Sequence, residues 1–268
     1  MTINNNNNYA PVGNTQYNNT LEKLATGLAI NKASDDASGL SIADKLDLQK
    51  SGAAQSIENA NNGIALSNIA QKGISEQKEI LDHIKTETLK ALNGTTSQEG
   101  RDAIEKEINK SIAQFENIAE STNYNGNQLL KSTGDPFTDD ISVVGSDSTI
   151  SMQKADTTSV SDELKTLMAD FSTNPASRAA LLEAVDRGID TLSSQEADFG
   201  TSANSIESFA RNYMTTETNM ASAKSVIMDL DFSQGMANFN KTNLQSQAGY
   251  LAQSQANAVQ SRVLSLLS

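Results

Sequence analysis

The sequence predicts a mainly α protein, an elongated antiparallel helical bundle or coiled coil with a small β-hairpin in its middle. Three observations carry that expectation. Proline, the strongest helix breaker, occurs only at Pro11, Pro136 and Pro175, so two long blocks, 12–135 and 176–268, run without one. Apolar residues in both blocks recur at intervals of three and four. Charge is missing from both ends: there is none before Glu22, and only Lys241 and Arg262 from Phe232 onward.

The 268 residues include 33 acidic and 20 basic side chains, one histidine, no cysteine and 4% aromatics, for a net charge of −13. With 37% hydrophobic residues, the chain is leaner than an average globular enzyme, and long helices suit it better than a sphere. All 33 acids and 18 of the 20 bases lie between Glu22 and Asp231, so this middle section carries −15. Neutral ends can pack against copies of themselves without repulsion, whereas a charged middle favours water. Nucleic acid is not an expected partner, because phosphate binding needs clustered Lys and Arg. Without cysteine there is neither a disulfide framework nor a thiolate metal site, and the redox compartment stays open. "MTINNNNNYAPVG" lacks a basic segment followed by an apolar one, and no apolar run approaches ~18 residues. Neither a cleaved signal peptide nor a membrane span is expected.

In the first block Ile42, Leu46, Ala53, Ile57, Ala60 and Ile64 form a stripe that Ile74, Leu81 and Ile84 continue. This predicts one long helix ending near Leu92 to Gly94, with Gly94 as its C′ residue. Turn residues "TTSQEG" lead into an antiparallel partner on Ile104, Ile108, Ile112, Phe115 and Ile118. That helix stops at "NYNGN", where Asn125-Gly126 tolerates left-handed backbone. β-branched residues on both sides of "GSDS" predict a hairpin near 137–154. "SDELKTLMADF" predicts a short helix capped by Ser161 or Asp162 and ending before "NPAS". From Arg178 helical periodicity persists to the end.

At the C-terminus Leu244, Ala248 and Leu251 share one helical stripe, and Ala252, Ala256, Val259, Val263 and Leu266 an adjoining one. This resembles a coiled-coil seam, but its flanks are Gln, Ser, Asn and Ala where a soluble coiled coil carries Glu and Lys. The one short partner in the first block is "NNTLEKLATGLAI", with Leu21, Leu24 and Leu28. A lone helix is marginal in water, and the two ends together still leave faces exposed. The ends are therefore expected to finish folding during assembly, through Leu21, Leu24, Leu28, Leu244, Leu251, Val259, Val263, Leu264, Leu266 and Leu267.

A search for chemistry finds little. His83 is the only histidine, so no HExxH pair exists; there is no P-loop, no GxGxxG, and no Cys or His to activate a serine. No enzyme activity, cofactor or metal is expected. Asp35 and Asp36 look at first like paired catalytic carboxylates, but adjacent helical residues point about 100° apart. Ser34 or Asp35 instead suits a helix N-cap, with acids favoured at the positive end of the helix dipole. Asp229 and Asp231 are expected to cap "FSQGMANF" in the same way. His83 is expected on a solvated face between Asp82 and Lys85. "NNT" at Asn18 and "NGT" at Asn93 match the Asn-glycosylation pattern, with turn and helix-end roles expected instead. "GSDSTIS" offers hydroxyls to O-linked sugar if exposed.

Four stretches, "LATGLAINKASDDASGLSIADKL", "NANNGIALSNIAQ", "TNYNGNQLL" and "LAQSQANAVQSRVLSLLS", make the sequence resemble a bacterial flagellin. The resemblance covers about Leu21 to Lys131 and Leu181 to Ser268, and leaves only a short piece between them, as in a minimal form without large outer domains. It implies a structural subunit that polymerises into the flagellar filament and gives motility as a helical propeller. It further implies unfolded export by the flagellar type III apparatus with an export chaperone, and an extracellular filament assembled under a cap beyond the hook-junction proteins. Neither nucleic acid nor membrane is among the implied partners. The terminal helices would pair as an inner core layer, giving segments 1–40 (with the linker), 41–231 (the helical bundle) and 232–268. Ser34, Asp35, Asp36 and Gly39 would link that layer to the next.

Two departures stand out. The Asn-rich "INNNNNYAPVG" is broken by Pro11, and no helix is expected before about Thr15. Flagellins recognised by the Toll-like flagellin receptor carry Arg and Leu where an ungapped match places His83 and Glu87, while the acid at Glu107 is kept. Loss of a guanidinium and of an apolar contact implies weak or absent receptor activation. A hook-filament junction protein shares the terminal pattern but normally has a larger middle. An intracellular coiled-coil adaptor would carry charged C-terminal flanks, which this chain lacks.

Overall fold

The structure is a computed structural model describing residues 10–131 and 140–267, with side chains except those of 10–14, 140, 264, 266 and 267. In chain order it contains α1 (Ala10–Thr26), α2 (Ala37–Leu92), α3 (Gln98–Ser121), β1 (Asn123–Tyr124), β2 (Asn127–Gln128), β3 (Asp140–Val144), β4 (Thr149–Gln153), α4 (Thr158–Met168), α5 (Pro175–Met228) and α6 (Phe232–Leu267). The mainly helical bundle with a small hairpin is the fold the sequence predicts. Contacts gather into two compact units, one of the residues up to Ser51 with those from Glu217 on, the other of Gly52–Thr216.

Helix ends follow local polar chemistry, not always at the expected residue. α1 begins at Ala10, earlier than expected, because Pro11 falls in the first turn, where its missing N–H is needed by no helical bond. Gly94 does not adopt the left-handed conformation expected of a C′ residue. The end of α2 is closed instead by Thr96, whose hydroxyl donates to Lys90 O at 2.7 Å. Ser97 caps α3 by accepting the Gly100 N–H at 3.1 Å. α4 starts at Thr158, ahead of the expected caps, because Asp156 Oδ1 accepts the Thr158 N–H at 3.1 Å. Ser161 lies inside α4, buried, with its hydroxyl given to Thr158 O. α5 opens with Pro175, and Asn174 Oδ1 accepts the Ala176 N–H at 2.9 Å. Asp231 caps α6 as expected, accepting the Ser233 and Gln234 N–H groups at 2.9 and 3.2 Å. Asp229 does not cap; it pairs with the Ser225 hydroxyl.

In the Gly52–Thr216 unit the inner face of α2 is an unbroken alternation of threes and fours. It runs Ala53, Ser56, Ala60, Gly63, Ser67, Ala70, Ile74, Gln77, Leu81, Ile84, Thr88, Ala91, all buried. This is the 3.5-residue period of a coiled-coil seam. Its second half packs on Ile108, Ile112 and Phe115 of α3, Leu164 of α4, and Leu181, Val185 and Leu192 of α5. Its first half is made of small residues, and the space they leave is filled by Val143 of β3 and Ile206 of α5. A Cβ added at Gly63 would lie 2.6 Å from Val143 Cγ2. The stripe expected from hydrophobicity is therefore corrected: Ala53 and Ala60 lie on the seam, Leu46, Ile57 and Ile64 are half-buried, and Ile42 is exposed. Buried Ser, Gly and Gln carry no apolar signal, which is why periodicity placed the stripe on its bulkier neighbours.

One buried amide ties several elements together. Gln77 Nε2 donates to Phe115 O at 3.1 Å and to Thr157 Oγ1 at 3.0 Å, and the Thr157 hydroxyl donates to Leu130 O at 3.0 Å. β1 and β2 meet through Asn125 (φ 50) and Gly126 (φ 83), a two-residue turn whose double left-handed backbone matches strand twist. β3 and β4 pair with Ile141 opposite Met152 and Val143 opposite Ile150. Their turn is held by Asn59 Nδ2 on Val144 O at 2.8 Å and by the Ser146 N–H on Ser56 Oγ at 2.9 Å. Residues 137–139 of the expected hairpin lie outside the described residues.

The small-residue half of the seam leads to a direct expectation. Ala60→Leu should destabilise the protein by about 1–3 kcal/mol through overpacking. Leu89→Ala, at a half-exposed position on the same helix, should stay within about 0.5 kcal/mol. Urea unfolding followed by circular dichroism would distinguish the two.

Candidate assembly surface and linker

The unit that contains both ends is built around a short linker between α1 and α2. Leu28 forms an isolated antiparallel bridge with Asp229, through the Ala29 N–H on Met228 O at 2.6 Å and the Leu230 N–H on Gly27 O at 2.9 Å. Beneath it Ile30, Ala43 and Met228 form a small buried cluster. Lys224 of α5 and Asp47 of α2 pair at 2.6 Å beside it.

The two adjacent aspartates serve two different stretches of backbone. Asp36, not Ser34 or Asp35, caps α2: its Oδ1 accepts the N–H groups of Ser38 and Gly39, both at 3.0 Å. Asp35 turns the other way and accepts the Asn31 and Lys32 N–H groups at 3.1 and 3.2 Å, with Lys23 Nζ 3.9 Å away. Ser34 is exposed. Gly39 is required by close approach, since a Cβ there would lie 2.6 Å from Ile30 Cδ1 and 2.7 Å from Asp36 Oδ2. The sequence contained three adjacent cap candidates and no acidic residue three positions on to mark a capping box, so their order could not be told from it. The Asn31 N–H, and after it the Lys32 N–H and the nearby lysines, hold the Asp35 carboxyl below its ordinary range against the opposing effect of desolvation.

α1 and α6 pack together, with the Tyr17 and Phe239 rings 5.4 Å apart and tilted by 34°. The face that α6 turns inward is Gly235, Phe239, Thr242 and Ser246, buried or half-buried. The apolar stripe that the sequence offered as a seam is not used in this pairing. Leu244 is 66% exposed, Leu251 72%, Val259 56% and Val263 47%. On the N-terminal side Leu21 is exposed, while Leu24 and Leu28 are half-buried. The side chains of Leu264, Leu266 and Leu267 lie outside the described residues. Sequence reasoning passed over further exposed apolar residues of this unit, among them Leu48, Phe232 and Val226, the last 85% exposed. Leu48 and Phe232 sit singly between polar neighbours and Val226 begins a run of three apolar residues, so none of them marks a period.

His83, Glu87 and Glu107 lie in the Gly52–Thr216 unit. His83 is half-exposed and its Nδ1 is 3.3 Å from Ser111 Oγ of α3, so it is tied to the neighbouring helix as well as solvated. Glu87 is the more buried, with Oε1 2.6 Å from Lys90 Nζ and 3.9 Å from His83 Nε2. Glu107 is exposed on α3, and its carbonyl accepts the Ser111 hydroxyl. Among the described residues no helix is long and apolar enough to cross a membrane.

The geometry defines a class, a helical-bundle protein whose C-terminal helix carries apolar side chains left exposed among the described residues. The bacterial flagellin N-terminal helical region matches residues 1–135, and the bacterial flagellin C-terminal helical region matches residues 182–267. Flagellin of Bacillus subtilis (strain 168) is 31% identical over 285 residues, covering 95% of this chain and 93% of that protein. The flagellar filament 31.3 kDa core protein of Treponema maltophilum is 29% identical over 261 residues, covering 92% and 91%. The crystal structure of Bacillus cereus flagellin superimposes with a TM-score of 0.52 at 25% identity, over 62% of this chain and 94% of that one. The chain belongs to the bacterial flagellin family.

Two consequences follow for the linker. Asp36→Ala should destabilise the start of α2 by about 1 kcal/mol and Ser34→Ala should change nothing, as read by hydrogen exchange at Ser38 and Gly39. Because the Asp35 carboxyl is held low in the folded chain, its contribution is complete above its ordinary value, about 3.9, and is lost as pH falls through the depressed value. Amide protection of Asn31 and Lys32 should therefore persist down to that range and fail only below it, in an NMR titration.

Proposed function

We propose that this chain is the structural subunit of a bacterial flagellar filament, polymerising with copies of itself outside the cell. The observation that carries the reading is the outward face of α6, where Leu244, Leu251, Val259 and Val263 stay exposed and are covered by no helix among the described residues. An apolar stripe of this size on a helix calls for burial. The flanks suit protein neighbours, because no acid occurs from Phe232 onward to repel an identical copy. Flagellins are a structural protein family, and the proposed role requires no catalysis.

Finer features of the reading are proposals of the same kind. Segments 1–40 and 232–268 form the inner core layer, with 41–231 as the helical bundle and Ser34, Asp35, Asp36 and Gly39 as the link. Two carboxylates that each hold a separate pair of backbone N–H groups make that link stiff, and this supports the assignment. Export follows the flagellar type III route with a chaperone and without a cleaved signal, and growth proceeds under a cap on hook-junction proteins. These steps accord with ends that need neighbours in order to fold completely.

Leu251→Asp combined with Val259→Asp places charges on the unused stripe. The double variant should keep the parent's thermal transition and helical content but sediment as a monomer, with no filaments by electron microscopy under conditions that polymerise the parent. Filaments as abundant as the parent's would sink the proposal.

Recognition by the Toll-like flagellin receptor is proposed to be weak. Glu87 is paired with Lys90, and the imidazole of His83 offers no bidentate fork. In a cell reporter assay the protein should activate poorly, and His83→Arg with Glu87→Leu should raise the response. A parent response equal to that of a recognised flagellin would contradict this.

A further inference from the structure

Three Asn-Gly pairs occur in the chain: Asn62-Gly63, Asn93-Gly94 and Asn125-Gly126. Each could in principle lose ammonia when the glycine nitrogen attacks the asparagine side chain. The fold treats the three very differently.

Asn62 and Gly63 lie inside α2, where the glycine N–H belongs to the helical hydrogen-bond ladder and the residue is buried. The nucleophile is occupied. Asn125 is held at φ 50 in the turn between β1 and β2. Left-handed backbone swings the following nitrogen to the side opposite Cβ, far from the side-chain carbonyl. Asn93 stands in the exposed loop after α2. Its Oδ1 accepts both the Thr95 N–H at 3.2 Å and the Thr95 hydroxyl at 3.0 Å. The ring closed by the first of these bonds contains the Gly94 nitrogen, so the side-chain carbonyl is held in the same turn as that nitrogen. Among the described residues the Gly94 N–H makes no turn or cap hydrogen bond, and the space around Gly94 is open.

We infer that Asn93 is a site of spontaneous covalent modification, converting to aspartate and isoaspartate through a cyclic imide. A base in solution removes the Gly94 amide proton and the nitrogen attacks Asn93 Cγ, forming the new N–C bond. Negative charge develops on Oδ1, where two donors from Thr95 are already in place to stabilise it. The bond from Cγ to Nδ2 then breaks and the amine leaves as ammonia, taking up a proton from solvent. Water opens the imide at either carbonyl. One opening yields aspartate, and the other yields isoaspartate with an extra carbon in the backbone. Both products add one negative charge to a chain already at −13, in the loop where Thr96 closes α2 and Ser97 caps α3. The "NGT" at Asn93 thus carries a chemical role apart from any glycan.

The test is incubation of the folded full-length chain in mildly alkaline buffer made with heavy-oxygen water, followed by peptide mapping under acidic conditions. Asn93 should acquire the mass of the acid with heavy oxygen several-fold faster than Asn62 or Asn125, and both isomers should separate by chromatography. In the chain unfolded in urea the three sites should convert at comparable rates, which makes the preference a property of the fold. Thr95→Val should slow conversion at Asn93 several-fold in the folded chain, and Gly94→Ala by at least as much. Equal rates at the three sites in the folded chain, or a Thr95→Val rate equal to the parent's, would overturn the inference.

Discussion

One face of α2, sealed at every third and fourth residue from Ala53 to Ala91, is the constraint on which the Gly52–Thr216 unit depends. A helix of this length would fray or bend in water without such a face. The seam also sorts its own neighbours. Where it is made of Ala, Ser and Gly, the side chains of Val143 and Ile206 reach in; where it is made of Ile and Leu, α3, α4 and α5 supply the counterpart. Gln77 sits at the change of texture and donates hydrogen bonds to α3 and to the residue before α4. A buried amide that donates in this way disfavours sliding, since any shift in register would strand its donors.

The unit holding the chain ends follows the opposite logic. Its own core is small, centred on Ile30, Ala43 and Met228, and its stiffness comes from backbone held by carboxylates. Asp35 and Asp36 each saturate two N–H groups, so the connection between α1 and α2 is specified by hydrogen bonds more than by burial. Leu244, Leu251, Val259 and Val263 of α6 remain outside. A chain built this way leaves apolar side chains for neighbours to cover, which suits a filament subunit.

The helical class, the long α2, the antiparallel α3, the turn at Asn125-Gly126 and the central hairpin were legible in the sequence, because each rests on local chemistry: periodicity, proline placement, turn residues. The family was legible for the same reason, in contiguous motifs. Less accessible were the cap assignments at Asp36 and Asp156, where several acceptors stand within three residues and only the backbone path chooses among them. The true seam of α2 was hidden because Ser56, Gly63, Ser67, Gln77 and Thr88 are buried without being apolar.

The sequence by itself determined the main helices, the hairpin and the neutrality of the ends, all of which depend on residues close together along the chain. Only the tertiary structure decided which face of each helix is used. Helical spacing states that Leu244 and Leu251, and Val259 and Val263, lie on two adjoining stripes of α6, but not whether those stripes meet α1. Packing settled it through contacts between residues more than two hundred positions apart, such as Tyr17 on Phe239, for which no local rule exists.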